Sequence, residues 1–487
     1  MSAIHRSISV LCILFIAFTV SAQKKKPTDP AAKLKDEAVQ DIQSKAAEYK
    51  KNAMEIWGFA EVGYKEVKSS ALHQQTLKDN GFTVEAGVAG IPTAFVATYG
   101  SGKPVIGILA EFDALPGMSQ EAVPEKKAVD GKNAGHACGH HLFGTAAVAA
   151  GIAIKKLIAE KKITGTVKVF GCPAEEGGSG KVYMVRAGLF NDADAIIHWH
   201  PGDDNEVTMT SALANKSAKF RFKGIAAHAS GAPEKGRSSL DAVEAMDMMA
   251  NMMREHMPQE ARLHYVITNG GKAPNIVPDF AEVYYYVRHP KKEEVKAIFE
   301  RVVKAAQGAA LGTETTMEYE IIGGTHDMLL NKTLGEVMQK NLDKAGGVDY
   351  TSEEIEFAKK IQSTFTFKAP AIENAAKVKP FKSVPDAGGG STDVGDVSYA
   401  VPTVGMSAAT WVPGTPAHSW QAVAAGGTDI GAKGMIVAAK TIAMTAIDLY
   451  TNSAIITKAT EEFKSAKGDY KYEALLGDRS PALNYRD

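Results

Sequence analysis

A thiol and several imidazoles lie close together in the segment GHACGHH (135–141), and two adjacent carboxylates follow at Glu175 and Glu176. Cys138 and His140 are two positions apart, so a turn before a helix can direct both side chains toward one ion. Thiolate and imidazole groups bind divalent metals, and a spare carboxylate can act as the base for an attacking water. These residues therefore predict a metal-dependent hydrolase.

The remaining candidate ligands are histidines that follow predicted strands. His198 and His200 have the same facing on a short strand that ends at Pro201, and His418 lies on a late loop with the sequence GTPAHSW (414–420). A single histidine of this kind is most often a packed or surface residue. Five metal-binding groups at strand ends are difficult to explain by packing alone, and together they indicate one site.

The elements that position these residues predict an α/β fold. The runs 105–111 and 166–172 are largely apolar, as in strands buried in a mostly parallel sheet with helices on both faces. A strand over 195–199 leads to His200, and a helix over 141–161 follows the thiol. Open α/β sheets have their binding crevice at the carboxyl ends of the strands, where these candidates lie. Further predicted elements are helices over 34–58, 68–79, 181–187 and 430–450, and a strand over 94–99.

A different pattern begins near residue 215. Polar and apolar residues alternate over 216–224, which predicts a half-exposed strand, and a helix begins at Ser238. Strands over 262–269 and 281–288, a helix over 292–311 and a strand over 315–322 complete the unit. This β-α-β-β-α-β order predicts a ferredoxin-like domain inserted in the larger fold. The predicted divisions are a signal peptide (1–22), a linker (23–33), a catalytic domain in two parts (34–214 and 327–451), the inserted domain (215–326) and a tail (452–487).

The first 22 residues predict a secretory signal. His5 and Arg6 precede an apolar run over 8–20, and Ser21 and Ala22 follow it. The run is short for a bilayer span, so we expect cleavage after Ala22 and no stable membrane insertion, with a retained anchor as the alternative. The mature protein is therefore expected to be exported, either periplasmic or secreted.

Two cysteines, Cys138 and Cys172, remain in the predicted mature chain. An oxidising compartment would permit a disulfide between them. The histidines beside Cys138 instead favour a metal ligand, and the apolar strand before Cys172 favours a packed thiol. The 487-residue chain has a formal net charge of −1 and no long basic run, which argues against nucleic-acid binding.

Eight motifs in the chain resemble those of the aminoacylase and carboxypeptidase metallopeptidase family. The resemblance is closest to its branch of amidohydrolases, which cleave aminobenzoyl-glutamate, auxin conjugates and other N-acyl amino acids. It extends over residues 35–450 and implies a catalytic domain with an inserted lid and dimerisation domain. The motifs are GHACGHH (135–141), PAEEGG (173–178), IIHWHP (196–201), RFKGIAAHA (221–229), GIAAHAS (224–230), PNIVPD (274–279), STDVGDVS (391–398) and GTPAHSW (414–420).

The resemblance implies two divalent metal ions per subunit, Mn²⁺ or Zn²⁺. A soft thiolate ligand favours zinc, whereas the amidohydrolase branch suggests manganese. Glu175 would be the general base that takes a proton from the attacking water and passes it to the leaving amine, a contribution of roughly 10²–10⁴ in rate. The implied metal ligands are Cys138, His140, Glu176, His200 and His418.

Three residues of the inserted domain match family positions that contact the substrate. His228 would reach the active site of a partner subunit and stabilise the oxyanion, which implies a homodimer or a hetero-oligomer with a related subunit. Asn275 and Arg288 would hold the terminal carboxylate of the substrate. The alternatives are a solvated histidine at a strand end for His228 and a surface ion pair for Arg288.

Two positions are expected to support the ligands without binding metal. Asp113 follows the strand 105–111 and could orient a histidine ligand. Such a contact contributes roughly 10–100-fold to metal affinity or activity. His141 stands where the broader branch often has Asp. Many relatives have His-x-Asp where this chain has Glu111-Phe112-Asp113, so Glu111 is doubtful as a ligand.

The residues and the resemblance together predict an amidohydrolase that takes a small-molecule N-acyl amino acid. The resemblance implies a substrate similar to p-aminobenzoyl-glutamate. A dipeptidase or carboxypeptidase on the same two-metal scaffold is the alternative, and it would require substrates with a free amino group. A non-catalytic binding protein with the same fold is a third possibility, since fold alone does not imply function. The presence of Glu175 argues against it.

Overall fold

The computed structural model describes residues 31–487 except Ser383 and Pro385, and it describes 386 and 387 by their backbone alone. The predicted signal peptide and most of the predicted linker lie outside the described residues. Eleven strands form the two main sheets. They are β1 (Thr83–Ala86), β2 (Phe95–Ser101), β3 (Val105–Glu111), β4 (Gly165–Cys172), β5 (Ala195–Gly202), β6 (Glu206–Val207), β7 (Ala214–Lys223), β8 (Arg262–Asn269), β9 (Phe280–His289), β10 (Thr316–Thr325) and β11 (Thr403–Ala409).

Thirteen helices accompany these strands in the described part of the chain, besides short 3₁₀ segments and a helical turn at Glu175–Gly178. They are α1 (Ala32–Ser44), α2 (Ala46–Phe59), α3 (Val67–Asp79), α4 (His140–Ala159), α5 (Gly180–Arg186), α6 (Ser239–Met253), α7 (Lys292–Gly312), α8 (Lys332–Ala345), α9 (Ser352–Gln362), α10 (Val394–Ser398), α11 (Trp420–Gly426), α12 (Asp429–Thr451) and α13 (Ser453–Lys467).

The larger sheet has the strand order β1-β2-β4-β3-β5-β11-β6. Its inner strands β4, β3, β5 and β11 are parallel, and the outer strands pair antiparallel. Every residue of β3 is buried, as its continuous apolar sequence predicts for a central strand covered on both faces. The mostly parallel α/β fold class predicted from the sequence is therefore confirmed.

Helix α4 packs directly behind the sheet and begins at the site. Its Gly144 is in close contact with strand β3, because a Cβ there would lie 2.6 Å from the carbonyl oxygen of Glu111 and 2.5 Å from His73 Nε2. Helices α4 and α12 are long and apolar enough to span a bilayer, but both are mostly buried in the fold. They therefore form the helical core of this domain.

The inserted domain is a four-stranded antiparallel sheet with the order β8-β9-β7-β10 and two helices on one face. Residues of β9 alternate strictly between buried and partly exposed. The buried set packs on α6 and α7, and the ring of its Tyr285 meets that of Phe220 on β7 edge-on. The chain order β-α-β-β-α-β confirms the ferredoxin-like insertion.

Two segments differ in detail from the predicted elements. The helix predicted over 34–58 is divided at Lys45, which leaves the helical conformation between α1 and α2. The segment predicted as a polar tail from 452 contains helix α13, and the residues after it pack on both domains. Cys138 and Cys172 are both free and buried.

Candidate active site

The candidate ligands converge at the carboxyl ends of the parallel strands. Glu176 follows β4, His200 lies near the end of β5, and His418 lies on the loop after β11. Cys138 lies in the turn before α4 and His140 is the first residue of that helix. The amide of His418 donates to the carbonyl oxygen of Ala137 (3.1 Å), which holds the late loop beside the thiol. The topology thus brings residues that are far apart in the sequence to one crevice.

Three overlapping sets of side chains have their ligand atoms within 4.8 Å of one another. Cys138 belongs to two of them, one with His140 and His200 and the other with Glu176 and His418. The third set contains Glu111, His140 and Glu175. The thiol therefore lies between two adjacent positions that could each hold a cation.

Several ligand atoms approach closely without forming hydrogen bonds. His140 Nε2 lies 3.1 Å from Glu111 Oε2, and His418 Nε2 lies 3.1 Å from Glu176 Oε1. Nevertheless His140 Nε2, Glu111 Oε2 and Glu176 Oε1 are buried atoms without a hydrogen-bond partner among the described residues. Buried polar atoms are costly when unpaired. Their convergence, and the sulfur, nitrogen and oxygen donor set, fit a bound divalent cation.

The histidine orientations leave the Nε2 atoms free to bind a metal. His140 Nδ1 lies 2.8 Å from Asp113 Oδ1, and His200 Nδ1 donates to the carbonyl oxygen of Pro201 (2.8 Å). A carboxylate and a carbonyl both accept, so Nδ1 carries a proton in each ring and Nε2 is the nitrogen left to bind a metal. His200 Nε2 lies 3.4 Å from the Cys138 sulfur, as expected for two ligands of one ion.

Asp113 connects two of the ligand segments. Its side chain is buried, and its second oxygen Oδ2 accepts from the backbone amide of Glu176 (2.9 Å). One carboxylate thus orients the imidazole of His140 and the loop that carries Glu176. Although burial opposes ionisation, His140 and its hydrogen bond hold the pKa of Asp113 below the ordinary value.

A buried cation lies beneath the site. Lys181 Nζ lies 2.6 Å from Glu111 Oε1 and 2.6 Å from Asp393 Oδ1, and all three side chains are at most 1% exposed. Burial opposes the charge, but Asp393 and Glu111 hold the pKa of Lys181 well above its usual range. One oxygen of Glu111 is therefore paired with an ammonium while the other faces His140. Sequence reasoning assigned no role to Lys181 or Asp393, since nothing in their local sequence indicates this pairing.

The two adjacent glutamates have opposite electrostatic environments. Burial and the negative charges of Glu111 and Glu176 raise the pKa of Glu175 well above its usual range. Burial acts the same way on Glu176, but the adjacent His418 and His140 outweigh it and hold that pKa below the ordinary value. Carboxylates this close ionise together only when positive charge is nearby. A bound cation would therefore stabilise the ionised forms of both Glu175 and Glu176.

The two remaining histidines considered in the catalytic domain, His141 and His198, are packed in the protein interior. His141 Nε2 donates to the carbonyl oxygen of Gly426 (3.0 Å) and its ring packs on His136 (4.8 Å). These contacts support the start of α4, and none of those described for His141 is to a candidate ligand. His198 is buried against β11, where a Cβ on Gly405 would overlap its ring.

The three predicted substrate residues lie on the inserted domain. His228 is exposed, and its Nδ1 accepts from the amides of Ser230 (3.3 Å) and Gly231 (3.0 Å). Asn275 is also exposed. It lies close to His228, because the amide of the next residue, Ala229, donates to the carbonyl oxygen of Asn275. Arg288 is partly buried over the ring of Tyr286 (5.4 Å), and its Nε has no partner in the described structure.

Residues 214–314 match the M20 peptidase dimerisation domain. Over 461 residues the chain is 42% identical to a p-aminobenzoyl-glutamate hydrolase subunit of Escherichia coli (strain K12), a match that covers 89% of this chain and 96% of that protein. It is 30% identical over 389 residues to the Xaa-Arg dipeptidase of Mus musculus, which covers 77% of this chain and 78% of that protein.

Among solved structures, the chain resembles a dinuclear metal binding peptidase of the M20 family from Bacillus subtilis. The TM-score is 0.56 at 17% identity, and the match covers 84% of this chain and 99% of that one. At 17% identity, this match shows that the two chains share a fold.

Proposed function

The chain belongs to the M20 family of peptidases and amidohydrolases, and on that basis we propose that it hydrolyses the amide bond of N-acyl amino acids in a metal-dependent reaction. The observation that carries the proposal is the pair of ligand sets that share Cys138, with Glu175 outside both of them. The best-supported substrate class is p-aminobenzoyl-glutamate and related compounds, because the bacterial relative with 42% identity is named as a subunit of a p-aminobenzoyl-glutamate hydrolase.

Two divalent ions, Mn²⁺ or Zn²⁺, would be held by residues of the two sets that include Cys138. One set would use His140 and His200 beside Cys138, and the other Glu176 and His418. Such ions would supply Lewis acidity toward a carbonyl and lower the pKa of water. The M20 peptidase of similar fold is dinuclear by name, which supports the number of ions.

Glu175 would carry the proton in the reaction. Its carboxylate belongs to the third set, with Glu111 and His140, and to neither set around the thiol. Positive charge nearby would lower its raised pKa toward a value useful for a general base. Glu175 would then accept a proton from the attacking water and deliver it to the departing amine nitrogen.

Recognition of an acidic amino acid is supported by a positive region of the inserted domain. Arg288 lies directly opposite Arg262 in the pairing of β9 with β8. Like charges at directly opposite positions destabilise a sheet unless an anion compensates them. Burial, together with the positive charges of Arg288 and its neighbours, also lowers the pKa of the nearby His264. A substrate with two carboxylates, such as an N-acylglutamate, would satisfy this charge.

We also propose that the inserted domain forms a dimer. Strand β8 is an edge strand, and Val266 and Ile267 on it are 56% and 40% exposed. Met248 and Met252 on α6 are 63% and 64% exposed. An exposed apolar strand edge and helix favour association with a second copy. The two amide donors to Nδ1 of His228 would leave its Nε2 as an outward hydrogen-bond donor for the oxyanion of the partner's substrate.

A hetero-oligomer with a related subunit is the alternative assembly, since the bacterial relative is by name one subunit of its hydrolase. Export to the periplasm or medium rests on the predicted signal peptide. It would be tested by the N-terminal sequence of the secreted mature protein, where Gln23 is the expected first residue.

A dipeptidase is the second candidate function, because the chain also resembles a Xaa-Arg dipeptidase at 30% identity. The two functions differ in the amino group of the substrate. Parallel assays of p-aminobenzoyl-glutamate and of dipeptides with a free amino group would separate them. Faster turnover of the dipeptides would replace the proposed acylated substrate and leave the proposed metal chemistry in place.

The deciding experiment is hydrolysis of p-aminobenzoyl-glutamate by the purified chain loaded with Mn²⁺ or Zn²⁺, beside Glu175→Gln. The substitution should lower the rate by roughly 10²–10⁴ while the bound metal stays at the wild-type amount, because Glu175 lies outside both ligand sets around the thiol. A variant as active as the wild type would refute the role of Glu175. No hydrolysis of any acylated or free substrate with either metal would refute the amidohydrolase.

A further inference from the structure

Residues 470–487, here called the strap, cross from the junction of the two domains to the loop of Glu176. The strap begins where β10 returns the chain to the catalytic domain. Tyr470 Oη lies 2.7 Å from His326 Nε2, and Tyr472 donates to Asp396 Oδ1 (2.7 Å). His326 is the first residue after β10, so these contacts attach the strap to the junction.

The middle of the strap is attached to the inserted domain. Leu475 is buried in the core of that domain, and its backbone passes so close to Gly324 of β10 that a Cβ there would lie 2.8 Å away. Arg479 Nη1 donates to the carbonyl oxygens of Ile321 and Ile322, the latter at 2.7 Å. The position of the strap therefore follows that of β10.

The end of the strap holds the backbone of Glu176. Tyr485 Oη and Arg486 Nη2 both donate to the carbonyl oxygen of Glu176, at 2.9 Å and 2.5 Å. The ring of Tyr485 packs edge-on against Tyr64, whose hydroxyl donates to the carbonyl oxygen of Gly178 (2.7 Å). Two strap side chains thus meet on the carbonyl of a candidate metal ligand.

The loop of Glu176 depends on such contacts because its backbone is strained. Ala174 and Ser179 on either side have φ values of 56° and 58°, in the left-handed region that residues with a Cβ seldom adopt. Such conformations persist only where the surroundings determine them. The amide of Glu176 is held by Asp113 and its carbonyl oxygen by the strap, so both peptide groups of the residue are fixed.

We propose that Tyr485 and Arg486 are positioning residues for the Glu176 carboxylate and therefore for one of the two cation sites. Neither side chain belongs to a ligand set, and both act through the backbone of Glu176. The inference rests on the proposed metal site. The strap should affect metal binding by the set of Cys138, Glu176 and His418 and not by the other set around the thiol. That other set contains no residue of the Glu176 loop.

The test is a titration of the metal-free full chain with Mn²⁺ or Zn²⁺ against a competing chelator. Tyr485→Phe and Arg486→Met are combined in one variant, which keeps the aromatic ring and much of the aliphatic side chain. The matched control combines Tyr183→Phe and Arg186→Met, since these side chains donate to the strap carbonyls of Ser480 and Arg479. The double strap variant should bind one of its two ions roughly 10-fold more weakly, and the control should bind both normally.

Two further measurements make the result specific. Arg486→Lys keeps one donor for the carbonyl of Glu176 and should recover part of the lost affinity. The thermal unfolding midpoint of the metal-free strap variant should equal that of the control. Unchanged affinity for both ions, or equal weakening of both, would overturn the inference while the metal site stood. A wild-type chain that binds neither metal would instead refute the proposed function.

Discussion

Replacing Asp113 with Asn changes a single side-chain atom and should disturb two candidate metal ligands, His140 and Glu176. The wild-type carboxylate accepts from His140 Nδ1 through one oxygen and from the Glu176 amide through the other, at 2.8 Å and 2.9 Å. Asn has a single carbonyl oxygen, and its amide group can only donate. While His140 keeps its proton on Nδ1, one buried donor loses its acceptor in either orientation of the amide. The other tautomer of His140 would accept from the Asn amide group, but its protonated Nε2 could not bind a metal.

The magnitude follows from this loss. A buried donor without a partner costs about 1–3 kcal/mol, so the free energy of unfolding of the metal-free chain should fall by at most that amount. Loss of a carboxylate behind a metal-binding histidine should weaken metal binding by about 10–100-fold. The loss of affinity should exceed that of the strap variants, because Asp113 contacts residues of both ligand sets.

The assay combines urea unfolding of the metal-free chain with a chelator-competition titration. Asp41→Asn on α1 is the matched control, because Asp41 is also buried and also joins two donors, Lys45 (3.0 Å) and Lys156 (2.8 Å). The control should lose stability without losing metal affinity. Wild-type metal affinity in Asp113→Asn would refute the positioning of His140 and Glu176 by this carboxylate.

Two further predictions concern buried groups around the site. Lys181→Met leaves the carboxylates of Glu111 and Asp393 unpaired in the interior, so urea unfolding should show a loss of about 3–5 kcal/mol; a loss under 1 kcal/mol would contradict the buried triad. Burial lowers the pKa of His73 to about 3. Below the ordinary value of about 6.5, only the unfolded chain therefore takes up a proton at this residue. The free energy of unfolding should fall as the pH falls, by at most about 1.4 kcal/mol per pH unit. His73→Leu should remove that part of the slope in urea unfolding of the metal-free chain between about pH 6.5 and 5, and an unchanged slope would contradict it.

The ligand candidates could be predicted because each lies in a short motif beside a strand with a clear pattern. Cys138 and His140 are two positions apart, and Glu176 follows an apolar strand. The parallel order of the strands then brings them together, since carboxyl ends of parallel strands share one edge. Local pattern and topology agree here, so sequence alone indicated the fold and the composition of the crevice.

Lys181 and the strap could not be predicted in this way. Lys181 pairs with Asp393 across 212 positions, and a lysine in a short apolar helix has no local feature that predicts full burial. Tyr485 and Arg486 meet Glu176 from more than 300 positions away. Such contacts depend on tertiary packing, which leaves no periodicity in a polar segment. Residues 470–487 therefore carried no signal beyond their aromatic residues.

The proposed role of His228 across a dimer interface leads to a test that needs no structure of the dimer. His228 hydrogen bonds with its own loop through Nδ1, and its exposed ring shows no described contact with the ligand sets of the same chain. If it serves the partner's substrate, each active site draws on two chains. Glu175→Gln and His228→Ala should then each be inactive alone but complement each other when mixed.

The expected recovery can be counted from the symmetry of a twofold dimer. Random exchange of subunits makes half of the dimers mixed, and each mixed dimer has one site with both Glu175 and His228 intact. The mixture should therefore reach about a quarter of wild-type activity after unfolding and refolding together. If the two residues act within one chain, every site in the mixture lacks one of them and activity stays at the level of the separate variants. That result would assign His228 to its own subunit and remove the need for a dimer in catalysis.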